Sequence, residues 1–132
     1  MEITYRFDCE NVTTPELVEL FKAAGLGGRT GDKILRAFKN SQLVCLAYAG
    51  ERLVGTSRAM TDWEYHALIY DVAVHPAYQG QGHGKRMMES LLSRLNVWRV
   101  MLVADGDVQP FYERYGFQPY PDVMAKLDWD NL

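Results

Sequence analysis

Residues 2–7 alternate apolar and polar positions with the period of a short strand. Thr13-Thr14-Pro15-Glu16 then offers a cap with proline near the first helical position, and Leu17, Leu20, Phe21 and Ala24 recur at i, i+3, i+4 and i+7. The pattern predicts a helix that Gly25 ends in a left-handed conformation. The glycine-rich stretch 25–31 leads to a second, shorter amphipathic helix carrying Ile34, Leu35 and Phe38. From Gln42 onward the period changes: 43–49 and 52–60 are strand-like runs separated by Gly50-Glu51, the pattern of a β-hairpin. Residues 67–75 are nearly all apolar and predict a strand covered on both faces, with Asp71 its one formal charge and Pro76 closing it.

A helix over about 82–95 follows, with Met88, Leu91, Leu92 and Leu95 on one stripe, and then a buried strand over 97–104. Strand, helix and strand in succession make a crossover, so those two strands are expected to lie parallel. Pro110 opens a short helix over 111–115 that Gly116 caps, and the tail from Phe117 to Leu127 is apolar enough for one or two final strands. There is no repeat, low-complexity tract or linker. With 132 residues, the chain reads as a single α+β (α/β) domain over 1–132.

Charge and cysteine content narrow the function classes. Fourteen Lys and Arg against 17 Asp and Glu leave a net charge of -3, which gives no field for gathering nucleic acid. Cys9 and Cys45 are too few for a disulfide framework, and Cys45 lies inside an apolar run. No stretch is long enough to span a membrane and the first residues lack the zones of a signal peptide, so a cytoplasmic protein without membrane or nucleic-acid partners is expected. His66, His75 and His83 have no metal-ligand spacing, and no metal is expected.

Chemistry concentrates in Gln79-Gly80-Gln81-Gly82-His83-Gly84-Lys85, between a strand and a helix. Its glycines let the backbone approach a ligand, and free N–H groups at a helix N-terminus suit a pyrophosphate. A Walker A loop fails, because Arg86 follows Gly84-Lys85 and Gln79 stands where the earlier glycine is required. A dinucleotide fingerprint starting at Gly80 fails because Lys85 occupies its third glycine.

What matches is the acetyl-CoA signature of the GNAT N-acetyltransferases, carried by Gln79, Gly82 and Gly84. Asp71-Val72-Ala73-Val74-His75-Pro76 resembles that family's fourth strand, and Pro110-Phe111-Tyr112-Glu113-Arg114-Tyr115-Gly116-Phe117 its late helix and turn. The resemblance extends over essentially the whole chain. It implies a mixed, mostly antiparallel sheet with helices on both faces and a splayed central parallel pair. The pantetheine arm of acetyl-CoA would lie in the splay against Val72, Ala73 and Val74, and Gln79, Gly80, Gln81, Gly82, His83, Gly84 and Lys85 would hold the pyrophosphate. A backbone N–H at the splay would stabilise the oxyanion as an amine attacks directly in a ternary complex.

Tyr112 matches the family's tyrosine acid, with Phe111 beside it, and a phenol can protonate the departing thiolate without first being charged. For the base, Asp71 stands out as a lone carboxylate on a buried strand. It serves equally as a structural carboxylate paired with an arginine such as Arg58. Asp62 and Glu64 are other candidates. Asp105 occupies the position six residues before Phe111, where the family often has an asparagine that contacts the CoA arm; a carboxylate cannot donate that bond.

The acceptor side is written less clearly. Gly28-Arg29-Thr30, Asn40-Ser41, Arg58, Asp62 and Tyr70-Asp71-Val72 together resemble bacterial and plastid relatives of the arylalkylamine (serotonin) acetyltransferases, which implies a small primary amine. Arg29, Arg58, Asp62, Tyr65 and Asp71 are the candidate acceptor contacts, with Trp63 a further aromatic in the same loop. If Asp62 and Asp71 both face the cleft, a cationic amine is drawn in. Acetylation of a protein lysine or N-terminus, a catalytically silent CoA-binding module and a homodimer are the competing or additional readings.

Overall fold

The computed structural model describes residues 2–29 and 31–132; Thr30, in the Gly28-Arg29-Thr30 motif, lies outside the described residues. Residues up to Leu102 form one compact unit and Val103–Leu132 a second.

In the first unit, β1 (Ile3–Arg6) is followed by α1 (Thr14–Ala23). Thr13 caps α1 as the sequence leads one to expect: its side chain accepts from the Glu16 N–H while the Glu16 carboxylate accepts from the Thr13 N–H at 3.0 Å. Helix α2 (Lys33–Lys39) packs beside it. The predicted strand 43–49 is interrupted at Cys45, giving β2 (Leu43–Val44) and β3 (Leu46–Ala49). At the break, Cys45 N–H donates to the Ser57 carbonyl and the Ser57 hydroxyl to the Cys45 carbonyl, each at 3.0 Å. The hairpin partner is β4 (Arg52–Thr61), entered through Gly50 at φ 62°. Then come β5 (His66–Val74), α3 (His83–Arg94) and β6 (Arg99–Leu102).

The sheet has six strands in the order β1-β3-β4-β5-β6, with β2 pairing β4. All pairs are antiparallel except β5–β6, the parallel crossover pair. Leu46, Tyr48 and Leu53 join Leu17, Leu20, Phe21, Ile34 and Phe38 in one buried cluster, so α1 and α2 cover one face. Ala47, between Leu46 and Tyr48, points the other way, toward Gly55 and the Met87 side chain of α3. Met87 lies beside the apolar stripe read from the sequence, yet it is fully buried because α3 lies flat on the sheet there.

Two expectations fail at the C-terminal end. The strand predicted over 97–104 shortens to β6, with Trp98 and Val103 exposed. The tail forms no strand: 117–128 is irregular, and α4 (Gln109–Glu113) and a 3-10 turn at Trp129–Asn131 are the only regular elements of the second unit. Val123, Met124 and Leu127 are exposed, so the apolar content that suggested strands is not buried. As a result β6 ends the sheet, and the parallel pair lies at its edge instead of its centre.

Gly55 marks the closest approach of α3 to the sheet. A Cβ there would meet Met87 Cε at 3.0 Å and Ala47 Cβ at 3.1 Å. The methionine end can give, whereas the alanine is fixed to its strand. Gly55→Ala is therefore expected to lower stability by about 1–3 kcal/mol, as overpacked cores do, read from the denaturant midpoint at unchanged slope.

Candidate functional site

The site is organised by an irregularity in β5. Thr56 pairs with Ala73 and Arg58 with Tyr70, so Asp71 and Val72 together oppose Ser57. One extra residue on a strand is a β-bulge, and Asp71 takes its unusual backbone conformation at φ 55°. The buried Thr56 hydroxyl holds the bulge by donating to the Asp71 carbonyl at 2.8 Å. On the other edge, the parallel pairing ends at Ile69 opposite Leu102. The Tyr70–Val74 edge therefore has no strand ladder on that side among the described residues, and, the Val74 carbonyl apart, an extended ligand could pair with it there. Val72, Ala73 and Val74 all belong to this stretch.

Beyond β5 a 3-10 turn (Pro76–Tyr78) leads into the glycine segment. The Gln79 amide donates to the Val74 carbonyl at 2.9 Å and so ties the turn back to the end of the strand. Gly80 and Gly82 have φ of 76° and 87°, while a Cβ at either would meet nothing, so glycine is required by backbone conformation and not by space. Gly82 is the N-cap of α3 and brings no side-chain acceptor, and the first helical bond runs from Arg86 N–H to Gly82 O at 3.0 Å. The N–H groups of His83, Gly84 and Lys85 are thus the orphan donors of a helix start, suited to an anion. The His83 ring turns away toward β1, where Tyr5 Oη lies 2.8 Å from Nδ1 and Arg86 stacks on the tyrosine at 4.7 Å. The Lys85 ammonium faces Glu89 one turn on, at 3.9 Å.

At the bulge, the Asp71 carboxylate is met by two guanidinium groups. Arg29 Nη1 donates to Oδ1 at 2.6 Å and Arg58 Nε to Oδ2 at 2.7 Å. The carboxylate is 3% exposed, Arg58 11% and Arg29 36%. Arg58 lies over the rings of Phe38 and Tyr70 and donates to Ser41 Oγ at 3.3 Å; Arg29 lies over Phe21. The bulge thus gathers Arg29, Arg58 and Asp71 on the face covered by α1 and α2. Arg58 was a foreseeable partner for Asp71. The contacts of Arg29, Ser41 and Thr56 to this site were not, because they depend on strand register and on a loop 42 residues away in sequence.

Asp62 and Tyr65 are not brought to this cluster. They lie in the β4–β5 turn, and His66 precedes Asp71 by five residues of strand, about 16 Å. Asp62 Oδ1 accepts from the N–H groups of Tyr65, Glu64 and His66 at 2.7, 2.8 and 3.0 Å. These bonds, that from His66 first, hold its carboxyl below the usual range. The aspartate shapes its own turn, in which Trp63 sits at φ 66° and Tyr65 is exposed.

In the second unit, Phe111 and Tyr112 lie on α4 in an aromatic cluster. Phe111 meets Tyr112 at 5.0 Å and Tyr115 at 5.6 Å, and Tyr112 meets Phe117 at 6.2 Å, all edge to face. Burial, and to a lesser degree Tyr115, push the Tyr112 phenol above its usual value of 10. The Asp105 carbonyl accepts from the N–H groups of Val108 and Gln109 at 3.0 and 3.1 Å and starts the turn into α4, while its side chain belongs to an exposed residue.

Comparison with known proteins agrees with this geometry. Residues 40–119 match the acetyltransferase (GNAT) domain. An uncharacterised N-acetyltransferase, ycf52, of Pyropia yezoensis is 33% identical over 91% of this chain and 73% of its own length. Histone acetyltransferase TAP1 of Glycine max is 32% identical over 90% of this chain, and chloroplastic serotonin N-acetyltransferase 2 of Oryza sativa subsp. japonica 33% identical over 84%. This chain spans only 58% and 59% of those two plant proteins. Among solved structures, a Staphylococcus aureus protein of unknown function described as a probable acetyltransferase superposes with a TM-score of 0.85 at 26% identity, over 96% of this chain and 98% of that one. The bulged strand, the glycine turn and these matches place the chain in the GNAT family of acetyl-CoA-dependent N-acetyltransferases.

Proposed function

We propose that this enzyme transfers the acetyl group of acetyl-CoA directly to a small primary amine, with arylalkylamines the first class to test. The observation that carries this reading is the bulged β5, whose unpaired edge leads directly into the glycine turn at the start of α3. Val72, Ala73 and Val74 would pair with the pantetheine arm as a further strand would, and the turn from Gln79 to Lys85 would receive the pyrophosphate. The rice relative carries the name of a serotonin acetyltransferase, which supports the small-amine reading. The soybean relative, named for histones, supports a protein lysine as a second acceptor.

In the proposed reaction the neutral amine nitrogen bonds to the thioester carbon. A backbone N–H at the bulge stabilises the oxyanion, a contact typically worth about 3 kcal/mol. Collapse breaks the C–S bond, the CoA thiolate takes the phenol proton of Tyr112, and the amide nitrogen loses its extra proton to water. Asp71 has both oxygens engaged by guanidinium groups, which favours a role in holding Arg29 and Arg58 over one as the base.

Thiol release from acetyl-CoA, measured across arylalkylamines, polyamines, amino sugars and lysine peptides, tests the reading; release with one class names the acceptor. Saturable CoA binding with no release across the panel would point to a silent binding module. Tyr112→Phe is expected to lower kcat by about 100-fold or more, the range of a lost general acid, with KM for acetyl-CoA little changed. The acid acts in its protonated form, so its activity is lost only as pH rises through a value that burial has lifted above 10. The kcat profile of the wild type is accordingly expected to show no falling limb between about pH 7 and 9.

Asp71→Asn separates base from scaffold. It leaves two guanidinium groups facing a neutral amide, and a loss of about 3 kcal/mol of stability is expected, the lower end for breaking a buried pair, since Arg29 is partly solvated. If Asp71 is a scaffold, the rising limb of kcat/KM with pH persists in the variant. Its disappearance would restore the base assignment.

A further inference from the structure

The charge balance around the bulge bears on the acceptor. Two guanidinium groups meet one carboxylate, each taking a different oxygen, so the cluster carries one positive charge in excess. Arg58 is nearly enclosed between Phe38 and Tyr70 and already donates to both Asp71 and Ser41. Arg29 differs. It comes from the loop between α1 and α2, is 36% exposed, and uses Nη1 on Asp71. A planar guanidinium has five N–H donors in a fork that fits an oxyanion, so Arg29 retains donor capacity toward solvent.

The cluster also occupies a suitable place. It lies at the bulge, on the face covered by α1 and α2, whereas the glycine turn opens α3 on the opposite face. A donor anchored at the α3 turn and an acceptor resting on the Arg29 side would approach the bulge from opposite faces. Attraction of a plain cationic amine by Asp71, which the sequence suggested, is offset here, because the carboxylate is outnumbered by its own partners. An excess positive charge disfavours the ammonium form and favours the neutral amine that must attack.

We propose that the acceptor carries an anionic group, carboxylate or phosphate, in addition to its amine, and that Arg29 binds that group. This rests on the acetyltransferase reading above and turns its small-amine class from plain arylalkylamines toward amines that also carry an anion. The test uses matched pairs differing by the anion alone: tryptamine with tryptophan for the carboxylate, glucosamine with glucosamine 6-phosphate for the phosphate. Thiol release is measured for the wild type, Arg29→Gln and Arg29→Lys, and binding of each compound is followed by calorimetry with and without CoA.

In the wild type, the anionic member of one pair is expected to exceed its neutral partner by about tenfold or more in kcat/KM, the effect of one charge-assisted hydrogen bond. Which pair responds identifies carboxylate or phosphate. Arg29→Gln is expected to bring the ratio within that pair close to one, mainly through KM of the anionic member, and Arg29→Lys to restore part of it. Equal or better use of the neutral members by the wild type overturns the proposal. So does a preference that survives Arg29→Gln. Failure to bind CoA or to release thiol with any amine would instead count against the acetyltransferase reading, and the calorimetry of the anionic compounds on wild type and Arg29→Gln would then decide the anion site by itself.

Discussion

The extra residue in β5 is the constraint on which the site depends. A regular antiparallel strand would place residue 71 opposite Ser57 and continue the ladder, with no change of direction beyond it. Inserting Asp71 at φ 55° bends the strand and shifts the register of everything after it. A left-handed non-glycine residue costs of order 1–3 kcal/mol and persists only where its surroundings over-determine it. Here they do: Thr56 fixes the carbonyl, Arg58 and Arg29 fix the side chain, and Ala73 anchors the strand beyond in the α1–α2 core. The same bend follows closely on the end of the parallel pairing, two residues earlier at Ile69.

This arrangement divides work between backbone and side chains. In the proposed reaction the donor half would rely on N–H and C=O groups of Val72–Val74 and on the opening of α3, so the side chains there, valine, alanine and glycine, would need only to permit the right conformation. The cluster of Arg29, Arg58 and Asp71 is by contrast a side-chain structure, drawn from a loop and two strands. Their geometry is set by tertiary contacts, with aromatic rings of α1, α2 and β5 beneath the guanidinium groups. A cation over a ring is worth about 0.5–2 kcal/mol depending on its desolvation, so Phe21, Phe38 and Tyr70 position charge as well as fill space.

That division explains what could be read from the sequence. Helix α1 was legible because its cap and its apolar stripe are local signals, and the glycine turn because positive φ leaves a mark in residue type. The hairpin, the crossover and the short α4 follow from the same local rules. The tail misled because apolar content alone does not say whether a strand finds a partner, and 117–128 remains irregular with exposed Val123, Met124 and Leu127. The bulge was invisible because nothing in Tyr70-Asp71-Val72 separates a bulged strand from a regular one. Only the pairing with β4 shows it.

Asp71 gives the sharpest instance. In the sequence it is one carboxylate among apolar residues, and an isolated buried charge is costly enough to suggest a chemical role. The compensation comes from 13 and 42 residues away, and once it is in place the burial of the carboxylate needs no catalytic explanation. What then calls for one is the surplus cation. Arg58 is satisfied by Asp71, Ser41 and its two rings, so the surplus is expressed at the partly open guanidinium of Arg29. The carboxylate that stood out in the sequence is thus, in the fold, the counterion of Arg29 and Arg58, and under the proposed reading it is the partly open arginine, more than the aspartate, that would select the acceptor.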